Sequence, residues 1–91
     1  MIKYLLMSIY ERIRTSEIEE EFRNIGVSFR DNMGNYRDSI VIMNEVAITM
    51  RVMLGKRHNI SAIYYIDKFV GLRNRNLFME IFDIKLYNKE I

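Results

Sequence analysis

The stretch "DSIVIMNEVAITMRVMLG", residues 38 to 55, predicts one long helix and decides the fold class. Its apolar residues recur at spacings of three and four, as on one face of an α-helix. They are Ile40, Met43, Val46, Ala47, Met50 and Leu54. Asp38 or Ser39 can cap the start, and Gly55 is expected to end the helix. The chain has no proline, so nothing in it forces a kink or removes a backbone donor.

Upstream of this stretch the sequence predicts two further helices. The first is expected to run from about residue 2 to residue 14, with an inward stripe of Ile2, Leu5, Leu6, Ile9 and Ile13. Ser16 is expected to cap the second, and Glu19 stands three residues later, as in a capping box. Gly26 is expected to close it in the left-handed conformation.

Downstream, the polar loop "GKRHN" precedes two more predicted helices. One begins with Asn59 as its cap, ends before Gly71 and buries Ile60, Ile63, Ile66 and Val70. The other runs from about Arg73 to Tyr87 and buries Leu77, Phe78, Ile81, Phe82 and Ile84. The sequence therefore predicts a mainly α fold of four to five short helices. Residues 1 to 91 would form a single small helical domain or a segment of a longer chain.

The stretch "VSFRDNMGNYR", residues 27 to 37, is too polar for a core helix and is predicted to connect the second helix to the third. Apolar and polar residues alternate from Val27 to Arg30 as in a short strand. The segment from Asp31 to Asn35 has the composition of a turn, and we expect Gly34 to adopt a positive φ. The prediction is a small β-hairpin or an ordered connector.

The composition excludes several classes of protein. Apolar residues make up 49% of the 91 residues, which indicates a globular domain and not a disordered chain. The absence of cysteine removes disulfides and thiolate metal sites. A net charge of +2 is too even for a dedicated nucleic-acid-binding protein. The apolar N-terminal run is interrupted by Ser8, Tyr10 and Glu11 well short of the roughly 20 residues of a membrane span, so none is expected.

The sequence predicts no catalytic, cofactor-binding or metal-binding residues. His58 is the only histidine, and no carboxylate or metal ligand stands at a suggestive spacing from it. The run from Glu17 to Glu21 is explained by the preference of helix starts for acidic residues. Arg73 and Arg75 in "LRNRN" could contact phosphate, but a structural role at a helix start is the favoured interpretation. We therefore expect no enzyme activity, no cofactor and no small-molecule substrate.

Two stretches of the chain resemble tail tape-measure proteins, the minor tail proteins of siphophages and prophages. They are "IEEEFRNIGVSFRDNMGNYRDSIVIMNEVA", residues 18 to 47, and "VGLRNRNLFMEIFD", residues 70 to 83. The segment "MSIYERI" is similar to the helix that precedes the connector in that family. The matching connector positions are Gly26, Arg30, Asp31, Gly34, Tyr36, Arg37 and Asp38. The matching positions at the start of the last helix are Gly71, Arg73, Arg75, Asn76 and Phe78.

The resemblance implies a structural or assembly protein that acts by helix packing in phage tails, without catalysis. It implies a connector whose arginines and aspartates pair with each other or with the neighbouring helix. Localisation would be the host cytoplasm during assembly and then the virion tail. A chain of 91 residues cannot measure a tail at about 1.5 Å per helical residue, so the resemblance implies a segment, a prophage remnant or a small stand-alone relative.

The partners implied are other tail-protein segments or further copies of this chain. Self-association is predicted because Tyr4, Met7 and Tyr10 widen the apolar face of the first helix, and Met79 and Tyr87 widen that of the last. The alternative function is a small helical interaction or nucleic-acid-binding module unrelated to phage. The even charge balance does not favour nucleic acid as the partner.

Overall fold

A computed structural model describes residues 2 to 86 and confirms a mainly helical fold. Its helices are α1 (Ile2–Arg12), α2 (Ser16–Asn24), α3 (Ser39–Gly55), α4 (Asn59–Val70) and α5 (Arg75–Ile81), with a 3₁₀ turn at Leu72–Asn74. Residues 2 to 86 contain no β-strand. The predicted hairpin is reduced to an isolated antiparallel bridge between Arg30 and Tyr36, so the second alternative, an ordered connector, describes this region. None of the described helices has the length and apolar character needed to cross a membrane.

The helices pack around one hydrophobic core, and α4 lies at its centre in contact with α1, α2, α3 and α5. A series of aromatic rings joins these elements. The ring of Phe22 in α2 lies 5.5 Å from those of Phe29 in the connector and Phe69 in α4, and Phe69 lies 6.0 Å from Phe78 in α5. Each such pair contributes about 0.5 to 1.5 kcal/mol beyond burial of its area. The connector is therefore anchored in the same core as the helices.

Four isoleucines predicted to be buried are exposed, namely Ile2, Ile40, Ile60 and Ile81. Ile40 is half exposed and Ile60 is 87% exposed. Each residue turns an α-helix by about 100°, which places Ile60 on the opposite face of α4 from the buried Ala62, Ile66 and Phe69. Because α3 and α4 are apolar on more than one side, the spacing predicted the helices correctly but assigned their buried faces with errors.

The last helix is shorter than predicted. It covers Arg75–Ile81 and not residues 73 to 87. Asp83 adopts a left-handed φ of 52°, and the amide of Ile84 donates to the carbonyl of Met79 at 2.8 Å, which closes the helix. Ile84 is buried after this turn, whereas Ile81 is exposed. The predicted role of Tyr87 lies outside the described residues.

Three helices end at the glycines that the sequence predicted. Gly26 closes α2 with φ 90°, and the amide of Val27 donates to the carbonyl of Phe22 at 2.9 Å, the bond of a Schellman motif. Gly71, with φ 88°, follows α4. Gly55 is the last residue of α3, as predicted, but the left-handed residue beyond this helix end is Arg57, with φ 65°.

Helix starts differ more from the sequence predictions. Asp38 caps α3 as expected, since its Oδ1 accepts from the amide of Ile40 at 2.8 Å. Ser16 and Asn59, however, are the first helical residues and not the caps of α2 and α4. Glu19 does not complete a capping box; it is buried and contacts the connector.

Candidate functional site

The connector between α2 and α3 is the region where the resemblance concentrates, and Arg30 ties it to α2. The Nε of Arg30 donates to Glu19 Oε2 at 2.8 Å, and its Nη2 donates to the hydroxyl of Tyr36 at 2.7 Å. Glu19 is only 8% exposed, and a buried carboxylate needs such a partner. The hydrogen bond to Glu19 raises the pKa of Arg30, so the guanidinium stays charged.

Tyr36 links the connector to the end of α1. The guanidinium carbons of Arg14 and Arg30 lie 4.5 Å and 4.2 Å from the centroid of the Tyr36 ring. The same carbon of Arg14 lies 3.6 Å from the centroid of the Tyr10 ring in α1. Cation–π contacts at exposed sites contribute about 0.5 to 1 kcal/mol each. The Tyr36 ring of the connector therefore contacts two arginines that come from different parts of the chain.

Arg37 ties the connector to α3. Its Nη1 donates to the carbonyl of Ser28 at 2.7 Å and to Glu45 Oε1 at 3.0 Å, and its Nη2 donates to Glu45 Oε2. This is a bidentate ion pair, a geometry that the planar guanidinium group of arginine favours. The hydrogen bond from Arg37 lowers the pKa of Glu45, and partial burial opposes the shift. Arg30 precedes the connector turn and Arg37 follows it. Together they connect the two sides of the loop to two different helices.

The connector aspartates bind backbone amides and not the connector arginines. Asp31 Oδ1 accepts from the amides of Met33 and Asn35, each at 2.9 Å, which shapes the turn. Gly34 adopts a φ of 86° there, as predicted. Asp38 caps α3. Of the two pairings that the resemblance implied for the arginines, the structure contains the one with neighbouring helices.

The start of the last helix is a second cluster, built around the C-terminal end of α4. The Nη1 of Arg12 donates to the carbonyl of Lys68 at 3.0 Å, and Ser8 Oγ donates to the carbonyl of Val70 at 2.8 Å. A Cβ added to Gly71 would stand 3.0 Å from Arg12 Nη2, so glycine leaves room for this arginine. These donors from α1 satisfy carbonyls that a helix end leaves without partners.

The predicted motif in this cluster divides into buried and surface positions. Arg75 makes a bidentate ion pair with Asp67, in which its Nε donates to Oδ1 at 2.8 Å and its Nη2 to Oδ2 at 2.6 Å. Phe78 is fully buried. The side chains of Arg73 and Asn76 are exposed and make no hydrogen bond or ion pair with any residue from 2 to 86. The residues of this motif are not hydrogen-bonded or ion-paired to the connector within residues 2 to 86. Both clusters instead contact the end of α1, through Arg12 and Arg14.

The described residues offer little for catalysis. His58 is exposed at the start of α4. Between residues 2 and 86 no group of three or more His, Cys, Asp or Glu side chains is placed to hold a metal ion. Within the same range every buried side-chain nitrogen or oxygen has a hydrogen-bond partner.

Sequence reasoning did not foresee the groove that runs between α1 and the start of α3. It is open to solvent, has a volume of about 710 Å³, and its apolar lining is Ile2, Leu6, Met7, Tyr10 and Ile40. Lys3, Glu11, Asp38 and Ser39 complete the lining. The sequence signal was the wide apolar face of α1, but α3 could not be identified as the opposite wall.

Comparison with protein-family models, with curated proteins and with solved structures found no match to this chain. The case for a particular function therefore depends on the residues themselves.

Proposed function

We propose that this protein is a structural assembly module that packs exposed apolar helix faces on other protein surfaces, and that it is a short tape-measure-like phage tail segment or relative. The observation that carries the proposal is the second apolar face of α3. Val46 and Met50 are buried in the core, whereas Val41, Ile48 and Val52 on the other side are 46%, 58% and 52% exposed. A helix that is apolar all round is normally covered all round.

The connector supports the same proposal. Arg30 pairs with Glu19 in α2 and Arg37 with Glu45 in α3, so the two helices are joined by charged contacts as well as by the chain. A module that acts by packing needs its helix faces at a fixed relative angle, and these contacts restrain that angle. The proposed mechanism is therefore presentation of fixed helix faces, without turnover.

The tail assignment is supported by the residues that carry the resemblance. Gly26, Gly34 and Gly71 all adopt positive φ, and Arg30, Arg37 and Arg75 all hold carboxylates of the helices. These six residues, which are among those that carry the resemblance, thus have structural roles in this fold. The same engagement argues against phosphate contacts by these three arginines, because their guanidiniums are already paired with carboxylates.

The proposal is tested by locating the chain in tail particles. Particles released from the source cell after prophage induction would be purified by density gradient and analysed by mass spectrometry. We expect the chain in tail-containing fractions. Its absence from those fractions, together with salt-dependent DNA binding by the purified chain, would favour the alternative and overturn the assignment.

The α3 face is tested in the same particles. The double substitution Ile48→Lys, Val52→Lys changes only exposed side chains, so the melting temperature should stay close to that of the unsubstituted chain. Incorporation into tails should fall by about tenfold or more, because two unpaired charges would be desolvated at the contact. Ile60→Lys, a similar change at an exposed position of α4, is the control and should be incorporated normally. Normal incorporation of the double variant would contradict the role of α3.

A further inference from the structure

We infer that the outward face of α1 binds a second copy of this chain, with the two α1 helices antiparallel around a two-fold axis at Met7. The inference shares with the proposed function only the premise that exposed apolar faces are contact surfaces. It does not require a phage origin.

The outward face of α1 is apolar at its centre. Tyr4, Met7 and Tyr10 are 69%, 52% and 54% exposed. At about 100° per residue, Met7 lies opposite the midpoint of Leu5 and Ile9, which are fully buried. Met7 therefore marks the middle of the surface that α1 presents to solvent.

The two charges on this face are arranged symmetrically around Met7. Lys3 precedes it by four residues and Glu11 follows it by four. Both side chains are exposed, and neither makes an ion pair with any residue from 2 to 86. Eight residues correspond to about 12 Å along the helix, so they do not pair with each other. Their lack of a partner contrasts with the paired arginines of the connector.

An antiparallel second copy gives both charges a partner. With the axis at Met7, Lys3 of each copy lies level with Glu11 of the other, and the symmetry makes this contact twice. A parallel arrangement would place like charges together, Lys3 beside Lys3 and Glu11 beside Glu11, which opposes association. The charge pattern therefore selects the antiparallel orientation.

The aromatic residues select the same register. Tyr4 stands three residues before Met7 and Tyr10 three residues after it, so each lies level with the other tyrosine of the second copy. Sliding the second copy by one turn in either direction along α1 would leave Lys3 level with Met7 or Thr15 and lose both sets of contacts. Tyrosine is one of the residues enriched at protein interfaces.

The groove beside α1 extends the contact surface. Ile2, Leu6 and Ile40 in its lining add apolar area next to Lys3 and Tyr10. A pair of 11-residue helices alone is only about 16 Å long, which is small for a stable interface. We therefore expect a reversible dimer with a dissociation constant on the order of micromolar.

The first test is a charge exchange, measured by sedimentation equilibrium of the full chain. Lys3→Glu and Glu11→Lys should each raise the dissociation constant by about tenfold or more, because each places two like-charged pairs in the dimer. The double substitution Lys3→Glu, Glu11→Lys should return it to within about threefold of the original, because opposite charges again lie level. Both substitutions are at exposed positions, and thermal melts would check that each of the three variants is folded.

The second test uses the absence of cysteine from the chain. Met7→Cys places two thiols at the two-fold axis, so mild oxidation should link most of the protein into dimers. Met33→Cys, at the exposed tip of the connector, is the control and should remain largely monomeric under the same treatment.

The inference is overturned if the chain is monomeric at high micromolar concentration, if the charge exchange does not restore association, or if Met33→Cys links as readily as Met7→Cys. A monomeric chain that enters tail particles would overturn this inference alone. A dimer with the expected charge response that is absent from tails would support it and overturn the proposed function.

Discussion

Arg30 and Arg37 stand on either side of the connector turn, and each holds a carboxylate that lies in a different helix. Glu19 comes from α2 and Glu45 from α3, so neither pair can be identified from spacing within the connector. Asp31 and Asp38, the carboxylates that directly follow these arginines in the sequence, bind backbone amides instead. Single side chains therefore join this loop to the helices.

The Arg37–Glu45 pair makes stability depend on pH. The pKa of Glu45 is lower in the folded chain than its ordinary value, so the pair stabilises the fold above that ordinary pKa, and its contribution is lost as pH falls through the lowered one. The Glu45 side chain is 41% exposed, so screening limits the effect to about 1 kcal/mol or less.

The measurement is the free energy of unfolding of the wild type and of Glu45→Gln, followed from neutral to acid pH. The advantage of the wild type should shrink as the solution becomes acid. Glu80→Gln is the control, since Glu80 is exposed and has no ion-pair partner within residues 2 to 86. A difference between wild type and Glu45→Gln that does not change with pH would contradict the role of this pair.

The backbone conformation of Gly34 leads to a second prediction about a single residue. With φ at 86° and no atom within 4 Å of an added Cβ, conformational strain is the only cost of a side chain there. Gly34→Val should lower the free energy of unfolding by about 1 to 2 kcal/mol, and Gly34→Asn by less, because asparagine tolerates the left-handed region. Chemical denaturation would measure both variants. Equal stability of the two would show that the turn does not require this conformation.

At the scale of the element, α3 has two apolar faces with different roles. One contacts the core through Val46, and the other presents Ile48 to solvent two residues later. This double character explains why periodicity placed the helix correctly but misjudged Ile40.

The two faces of α3 should respond differently to the same charge. Val46 is fully buried, so Val46→Asp would bury an unpaired carboxylate at a cost of about 3 kcal/mol or more, enough to unfold most of so small a domain. Ile48→Asp changes a side chain that is 58% exposed and should leave the chain folded. Far-UV circular dichroism during heating would compare the two. A cooperatively melting Val46→Asp variant would be inconsistent with the buried face described here.

The sequence predicts elements better than it predicts contacts between them. The spans of α3 and α4, the cap at Asp38 and the closure at Gly26 all follow from local spacing and backbone chemistry. The left-handed Arg57 and the burial of Glu19 do not, because each depends on what the rest of the chain places nearby. The groove between α1 and α3 could not be predicted for the same reason, since its two walls are distant in sequence.

At the scale of the whole molecule, α4 is the centre and α1 covers one of its ends. Ser8 and Arg12 donate to carbonyls in the last turn of α4, and Leu5, Ile9 and Ile13 are buried in the core. The first helix is therefore a structural part of the domain and not an appendage.

Removal of residues 1 to 14 should abolish cooperative unfolding. The deletion would expose the core and remove the Ser8 and Arg12 donors from the last carbonyls of α4, a cost of several kcal/mol in a domain with about 5 kcal/mol to lose. Thermal denaturation would show a broad transition in place of a sharp one. Adding the peptide of residues 1 to 14 should restore part of the transition, whereas a peptide with Leu5→Lys and Ile9→Lys should not. Sharp melting of the truncated chain would contradict this role for α1.

Because Arg30 and Tyr36 close the base of the connector, the turn between them can vary in length. The backbone bridge between Arg30 and Tyr36 joins the residues on either side of the turn, and Met33 at the tip of the turn is 83% exposed. Residues inserted at the tip would lengthen a loop that is already closed, and doubling the length of such a loop costs only about 0.6 kcal/mol of closure entropy. The tip is therefore the place where this fold can accept an inserted peptide, such as an epitope tag, while the contacts of Arg30 and Arg37 stay in register.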